Sequence, residues 1–168
     1  MPSAQPADRA AGQPFNQPGP AAQEASDAAP PERPLPSLAE PDTAPFWAAT
    51  RDHRLTYQVC ASCGEVIFFP RRHCPGCLSV DTEWHDSAGD GTVYTFTVIR
   101  QHGQPYFRGR LPYVLGFIDL DEGFRLLAEI DTAPDTVRVG QRVTVGWEDH
   151  AELAVPVFRL AQDQLSAG

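Results

Sequence analysis

The sequence contains no lysine, so all thirteen of its basic side chains are arginines. It lacks any apolar run approaching the ~18 consecutive residues that a membrane-spanning helix needs. Its N-terminal segment also lacks the basic region followed by an apolar stretch that marks a secretory signal. We therefore expect a cytoplasmic protein that does not bind membranes. That compartment keeps thiols reduced, which favours a metal site over disulfides for the four cysteines.

Excess positive charge is missing too. The net charge is −9, and the first forty residues, with two arginines and five acidic residues, contribute −3 of it, which leaves −6 for the rest. This balance disfavours nucleic acid as a partner, because affinity for phosphate backbones depends on neutralisation by lysine and arginine. The candidate basic clusters are Arg71-Arg72-His73 and the arginines at positions 100, 108 and 110, and the simplest interpretation places them on a solvated rim.

The first forty residues are rich in Ala, Pro, Gln and acidic residues. Phe15, Leu35 and Leu38 are the only side chains expected to be able to anchor this segment. It therefore cannot bury enough apolar surface to offset the entropy lost on ordering. We expect residues 1–42 to be a disordered tail or linker, stiffened by its prolines.

The cysteines form two C-x-x-C pairs, Cys60 with Cys63 and Cys74 with Cys77, separated by ten residues. Two such turns joined by a hairpin-length spacer are typical of a structural zinc ribbon, because each turn presents two thiolates to one ion. Iron is the main alternative metal. A redox C-x-x-C would be expected singly beside a βαβ pattern, which is absent. Four thiolates leave no position for a catalytic water, and His73 is expected to lie on the surface.

Alternating β-branched and aromatic residues after the ribbon predict five barrel strands. These strands cover residues 92–99, 113–120, 124–130, 142–148 and 155–160. Read as all antiparallel, with no helix between them, they indicate a small closed Greek-key barrel, most simply an OB-fold. Upstream, residues 45–53 predict a short helix and residues 55–59 an edge strand.

The predicted fold is thus mainly β, with an N-terminal helix, a four-cysteine zinc ribbon and a five-stranded OB-fold barrel. The predicted division of the chain is 1–42 tail or linker, 43–86 helix and ribbon, 87–163 barrel and 164–168 flexible C-terminus.

The order of these motifs resembles the family called domain of unknown function 35 (DUF35). The resemblance covers about residues 45–162 and includes both cysteine pairs, Phe69-Pro70-Arg71, Gly91-Thr92-Val93 and the turn Asp121-Glu122-Gly123. It implies a rubredoxin-like ribbon ahead of an OB-fold, with structural zinc held by the four cysteines. It also implies an acyl-CoA-binding accessory subunit that acts with a thiolase-like enzyme in a hetero-oligomer. It implies no catalytic residues, since the family has no shared catalytic set.

The stretch from Arg100 to Phe107 is similar to family members that partner lipid-transfer-protein-type aldolases in steroid side-chain degradation. These aldolases cleave a carbon–carbon bond of acyl-CoA by a retro-aldol reaction. In some relatives the domain follows a hot-dog-fold enoyl-CoA hydratase half, and the Ala/Pro-rich tail resembles the linker between such halves. A free-standing subunit and a segment of a longer hydratase fusion both stay open.

Coenzyme A offers phosphates and an adenine, which suit arginine donors beside aromatic faces. The predicted CoA contacts are Arg71, Arg100, Arg108 and Arg110, with Tyr94, Phe96, Tyr106 and Phe107 as aromatic candidates. Tyr94 and Phe96 are expected to share one strand face and could instead fill the barrel. Tyr106 and Phe107 are also candidate anchors for the partner enzyme.

Two further interpretations remain open, a purely structural partner subunit and an OB-fold oligonucleotide-binding protein. Independent catalysis ranks below both. His102 is the best lone candidate for acid–base chemistry, but no carboxylate or cysteine lies near it in the sequence. No catalytic residue is therefore predicted.

Overall fold

The structure, a computed structural model, describes residues 31–161. Residues 164–168 and residues 1–30 of the predicted tail lie outside this range, so their expected flexibility stays a prediction. The elements of the described range are α1 (Ala44–Thr50), β1 (Thr56–Cys60), β2 (Val66–Ile67), β3 (Thr82–Asp86), β4 (Asp90–Ile99), α2 (Pro105–Arg108), β5 (Tyr113–Leu120), β6 (Arg125–Ile130), β7 (Arg142–Asp149) and β8 (Ala154–Leu160). The predicted mainly β fold is confirmed. Neither helix has the length and hydropathy needed to span a bilayer.

The ribbon is a three-stranded antiparallel sheet with β1 in the middle, between β2 and β3. The prediction that this strand lies at an edge is wrong, because β3 was not foreseen. The reason is visible in its sequence, Thr-Glu-Trp-His-Asp, of which four residues are exposed. A strand with no buried face shows no apolar alternation, so its pairing depends on backbone hydrogen bonds to β1.

The barrel closes in the order β4-β5-β6-β8-β7, with β7 returning to pair with β4. This confirms the OB-fold. The pairing of β6 with β8 is parallel, at Glu129 with Val157 and Ile130 with Phe158. The expectation of uniformly antiparallel strands is wrong at this one seam. The chain leaves β6, forms β7 on the far side and then inserts β8 between them, and no pattern within a single strand encodes that direction.

The barrel core and the upstream elements share one apolar cluster. Val93, Ile118 and Phe158 are fully buried inside the barrel, and Phe46 of α1 joins the same cluster. Beyond it, Phe68 stacks on Phe124, with ring centroids 4.8 Å apart, and meets Phe46 edge-on at 5.7 Å. These aromatic contacts fix the ribbon and the helix against the barrel.

A β-bulge interrupts β4 between Val93 and Thr95, where the register with β5 shifts by one residue. Tyr94 consequently points outward and is 51% exposed, while Phe96 packs against the core. The expectation that these two aromatics share one face is wrong, because the extra residue reverses the alternation. Outside the barrel, the Arg125 guanidinium lies 3.3 Å from the centre of the Tyr94 ring.

One turn of helix, α2, occupies the connection between β4 and β5, which the sequence predicted to be a loop without helix. Pro105 starts this turn, and its fixed φ suits the first helical position. The turn places Tyr106 and Phe107 on the barrel surface, where both are half-buried.

We predict that Gly91→Ala destabilises the barrel. A methyl group there would lie 2.6 Å from the carbonyl oxygen of Asp119 and 2.8 Å from a methyl of Ile118. Overpacking of this kind costs about 1–3 kcal/mol of unfolding free energy. The matched control is Gly103→Ala, whose added methyl meets no atom within 4 Å. Denaturant unfolding of both variants measures the difference, and equal midpoints would contradict the close approach of β4 and β5.

Candidate functional site

The four predicted cysteines converge at one end of the ribbon. All four Sγ atoms lie within 4.8 Å of one another, and the Cys60–Cys77 and Cys63–Cys74 pairs are each separated by 3.6 Å. A tetrahedral zinc ion with Zn–S bonds of ~2.3 Å needs sulfur atoms about 3.8 Å apart. The donor set and its spacing therefore fit zinc, and a full set of four thiolates fits a structural role.

The two cysteine turns have the same backbone design. The Gly64 N–H donates to the Cys60 carbonyl at 2.8 Å, and the Leu78 N–H donates to the Cys74 carbonyl at 2.9 Å. Gly64 and Leu78 both adopt positive φ, 76° and 65°. Each turn buries its first cysteine and exposes its second. His73 is exposed and is not part of the sulfur cluster, as expected.

The close sulfurs shift one another's pKa in opposite directions. Burial raises the pKa of Cys60, but hydrogen bonds from the Cys63 and Ser62 backbone and from neighbouring sulfurs outweigh it and lower that pKa to about 7. The backbone N–H of Glu65 lowers the pKa of Cys63, but the neighbouring Cys77 and Cys74 sulfurs outweigh it and raise that pKa to about 12. Four thiolates in such proximity repel one another unless a cation lies between them. The cluster therefore has the chemistry of a site built around a metal ion.

A cavity of about 280 Å³ lies where the ribbon, both helices and the barrel meet. Phe69 of the ribbon, Trp47 of α1 and Phe107 of α2 form part of its wall. Barrel residues, among them Leu115 and Leu127, form the rest of the apolar lining. Its charged side chains are Arg33 and Glu129. The cavity is thus an apolar space with an ion pair at its border.

The four arginines predicted to contact CoA divide into two kinds. All four are exposed, but within the described residues Arg110 forms ion pairs with carboxylates and Arg71, Arg100 and Arg108 do not. The Arg71 Nε donates to the Phe69 carbonyl at 3.1 Å, and Arg108 donates to the Gly103 carbonyl at 2.9 Å. Each of these two bonds uses one N–H, so most of the donors in both guanidinium groups still face outward. Binding of CoA by these residues stays a prediction.

Arg110, the fourth predicted arginine, lies in an ionic cluster. Its guanidinium contacts Glu129 at 2.6 Å and Glu148 at 3.0 Å. Burial lowers the pKa of Arg110, but the hydrogen bond that it donates to Glu148 and the charges of Glu129 and Glu148 together outweigh burial and raise that pKa. Burial also raises the pKa of Glu129, against the opposing charges of Arg110 and Arg33. With two carboxylates in contact, Arg110 has less positive charge to offer a phosphate than the other three arginines.

His102 has a local structural contact. Its Nδ1 accepts the backbone N–H of Gln104 at 3.1 Å, and its ring lies 4.6 Å from that of Phe107. The histidine thereby holds the residue that precedes α2.

The sequence did not predict the cluster of Glu129 and Glu148. A charged residue inside the apolar run Leu126-Leu127-Ala128-Glu129-Ile130 was the available signal.

Comparison with known proteins agrees with this architecture. A model described as ChsH2, rubredoxin-like zinc ribbon domain, matches residues 47–83. A second, described as ChsH2, C-terminal OB-fold domain, matches residues 84–148. A solved structure of an Ltp2-ChsH2(DUF35) aldolase superposes with a TM-score of 0.67 at 35% sequence identity, covering 76% of this chain and 98% of that one. The chain belongs to the DUF35 family. Its ribbon and barrel are those of the ChsH2 members.

Curated DUF35 relatives carry several names. A probable enoyl-CoA hydratase alpha subunit of Thermomonospora curvata is 37% identical over 79% of this chain and 41% of its own length. A DUF35 domain-containing scaffold protein of Methanocaldococcus jannaschii is 39% identical over 50% of this chain and 60% of its own. The benzoylsuccinyl-CoA thiolase subunit BbsA of Thauera aromatica is 30% identical, over 62% and 65%. The chain thus spans about two fifths to two thirds of these relatives.

We predict about one zinc ion per chain, required for the ribbon to fold. Cys60→Ser removes a buried ligand and should lower both the zinc content and the melting temperature, because binding of structural zinc contributes directly to folding free energy. His73→Ala is the matched control, since it changes the residue next to Cys74 without touching the sulfur cluster. Elemental analysis and thermal unfolding report the outcome. Two disulfides and no metal in the purified protein would contradict the zinc site.

Proposed function

We propose that this chain is an accessory subunit of a thiolase-like acyl-CoA lyase and that it contacts the acyl-CoA on which its partner acts. The observation that carries the proposal is the structural similarity to the Ltp2-ChsH2(DUF35) aldolase, of whose matched chain 98% is covered. Two relatives carry names that include a CoA thioester, benzoylsuccinyl-CoA thiolase subunit BbsA and probable enoyl-CoA hydratase alpha subunit. The partner would supply the catalytic groups for retro-aldol cleavage, in steroid side-chain or other lipid catabolism.

The position of the cavity supports contact with acyl-CoA. Phe69 forms one part of its wall and stands two residues before the exposed Arg71. Phe107 forms another part and is followed directly by the exposed Arg108. Neither arginine lines the cavity itself. An apolar space with exposed arginines one and two residues along the chain from its wall suits a ligand that joins an apolar chain to phosphates.

The size of the cavity indicates a shared site. Its volume of about 280 Å³ lies just below the ~300–1,000 Å³ of pockets that enclose a drug-sized ligand. A whole acyl-CoA is larger than such a ligand, so this chain would enclose only part of it. The remainder, including the bond that is cleaved, would lie in the partner subunit.

An apolar strip on the outer barrel surface offers a place for the partner. Phe117 of β5 pairs with Leu127 of β6 across the sheet, and their side chains are 42% and 43% exposed. Tyr106 and Phe107, the anchors expected from the sequence, are half-buried against neighbouring side chains. Exposed neighbouring apolar residues are typical of interface anchors, so Phe117 and Leu127 are the better candidates.

We predict that Phe117→Ser, which leaves the lining of the cavity unchanged, weakens the complex with the lyase. Loss of central apolar anchors typically costs about 2 kcal/mol or more, which is roughly a thirtyfold loss of affinity. The control is Val80→Ser, which removes an apolar side chain of the ribbon that is 60% exposed, more than that of Phe117. Co-elution from the native host and the carbon–carbon cleavage rate with and without the chain are the measurements. A lyase equally fast alone would contradict an accessory role.

We predict that Arg71→Ala combined with Arg108→Ala weakens binding of acyl-CoA to the assembled complex. Each charge-assisted hydrogen bond to a phosphate contributes about 1.5–3 kcal/mol, so the dissociation constant should rise at least tenfold. Arg51→Ala, at an exposed position after α1, is the control. Calorimetric titration of the complex, with zinc content checked, decides the matter. Unchanged affinity together with retained assembly would leave the chain as a purely structural subunit.

A further inference from the structure

Residues 31–43, here called the strap, run along the protein surface before α1. Prolines at positions 31, 34 and 36 restrict its backbone, which lowers the entropy lost when it docks. Its leucines, which the sequence left as possible anchors, contribute little, since Leu35 and Leu38 remain 41% and 37% exposed. The Arg33 side chain, in contrast, is only 11% exposed. A charged residue thus anchors the strap.

The contacts of Arg33 come from three separate parts of the barrel. Its Nη1 donates to Oε2 of Glu148 at 2.6 Å and lies 3.6 Å from Oε2 of Glu129. Its guanidinium carbon is 5.7 Å from the centre of the Tyr106 ring and 5.3 Å from that of Phe107. The Arg33 guanidinium thus has carboxylates as partners for its N–H groups and aromatic rings near its planar face, the two kinds of contact that a guanidinium favours.

The charges around this position require a second cation. Glu129 is 7% exposed and Glu148 23%, and Arg110 contacts both. Without Arg33, one guanidinium would face two carboxylates in a largely desolvated place, which is a costly arrangement. Other titratable groups also face the pair. The Tyr106 hydroxyl donates to Glu148, and Nε2 of His150 lies 3.2 Å from the same carboxylate. Neither group is a guanidinium, which stays charged at any pH the folded protein meets.

We propose that Glu129 and Glu148 form a guanidinium-binding site and that Arg33 is its ligand within the chain, latching the strap beside the apolar cavity. Arg33 and Glu129 both border that cavity, so the latch closes part of its rim. The ligand class is an arginine side chain on an extended, proline-flanked peptide. This inference concerns the chain alone and does not depend on the proposed acyl-CoA function.

The first test supplies the arginine from outside. In the full-length Arg33→Ala variant the site is vacated, and a synthetic peptide of residues 28–38 should bind there and shift the NMR signals of Tyr106 and Phe107. The unaltered chain should bind the peptide at least roughly tenfold more weakly, because its own Arg33 occupies the site most of the time. A peptide with alanine in place of its arginine is the control. Equal binding by both chains, by both peptides, or by neither would overturn the proposal.

The second test uses stability and works without the peptide. Arg33→Ala should lower the melting temperature more than Leu35→Ala combined with Leu38→Ala, which removes the exposed apolar side chains of the same strap. Glu148→Gln, which keeps the shape and removes the charge, should cancel most of the effect of Arg33→Ala in the double variant. A larger effect from the two leucines, or strict additivity of Arg33→Ala and Glu148→Gln, would overturn the proposal.

Discussion

The stack of aromatic rings between ribbon and barrel is the interaction on which the rest of this structure depends. The ribbon by itself buries little apolar surface, since its own cluster consists of Cys60, Ile67 and Cys74. Such a module needs its metal to fold and a neighbour to fix its orientation. Phe68 supplies the second requirement by contacting Phe124 of the barrel and Phe46 of α1. A metal site, a helix and a barrel therefore behave as one packed unit.

That unit also explains where the cavity is. Phe68 turns inward to the stack, and the next residue, Phe69, remains 56% exposed and forms part of the cavity wall. Of these two adjacent residues, Phe68 packs the ribbon against the barrel and Phe69 lines the candidate site. On the other side, α2 brings Phe107 to the same cavity. The position of the ribbon therefore sets part of the shape of the cavity.

The sequence predicted the features that neighbouring residues determine and missed those that depend on distant parts of the chain. The spacing of the cysteines is dictated by coordination geometry, and the barrel strands by alternation against one core. Strand β3 escaped prediction because Glu83, His85 and Asp86 leave it no apolar face. The bulge at Tyr94 escaped because a single extra residue is invisible in a β-rich run. Arg33 escaped because its partner Glu148 lies 115 residues further along the chain.

The parallel seam of the barrel has a consequence for how the chain folds. Strand β8 follows both β6 and β7 in the sequence but lies between them in the sheet, so the barrel closes only when β8 pairs with both. The pairs that close the barrel join residues far apart in sequence, which raises contact order and slows folding. The ribbon, whose sheet is completed by residue 86, needs only local contacts and its metal. Within residues 31–161, the metal-binding module is therefore synthesised in full well before the barrel, whose core is closed by β8, the strand of the barrel that comes last in the sequence.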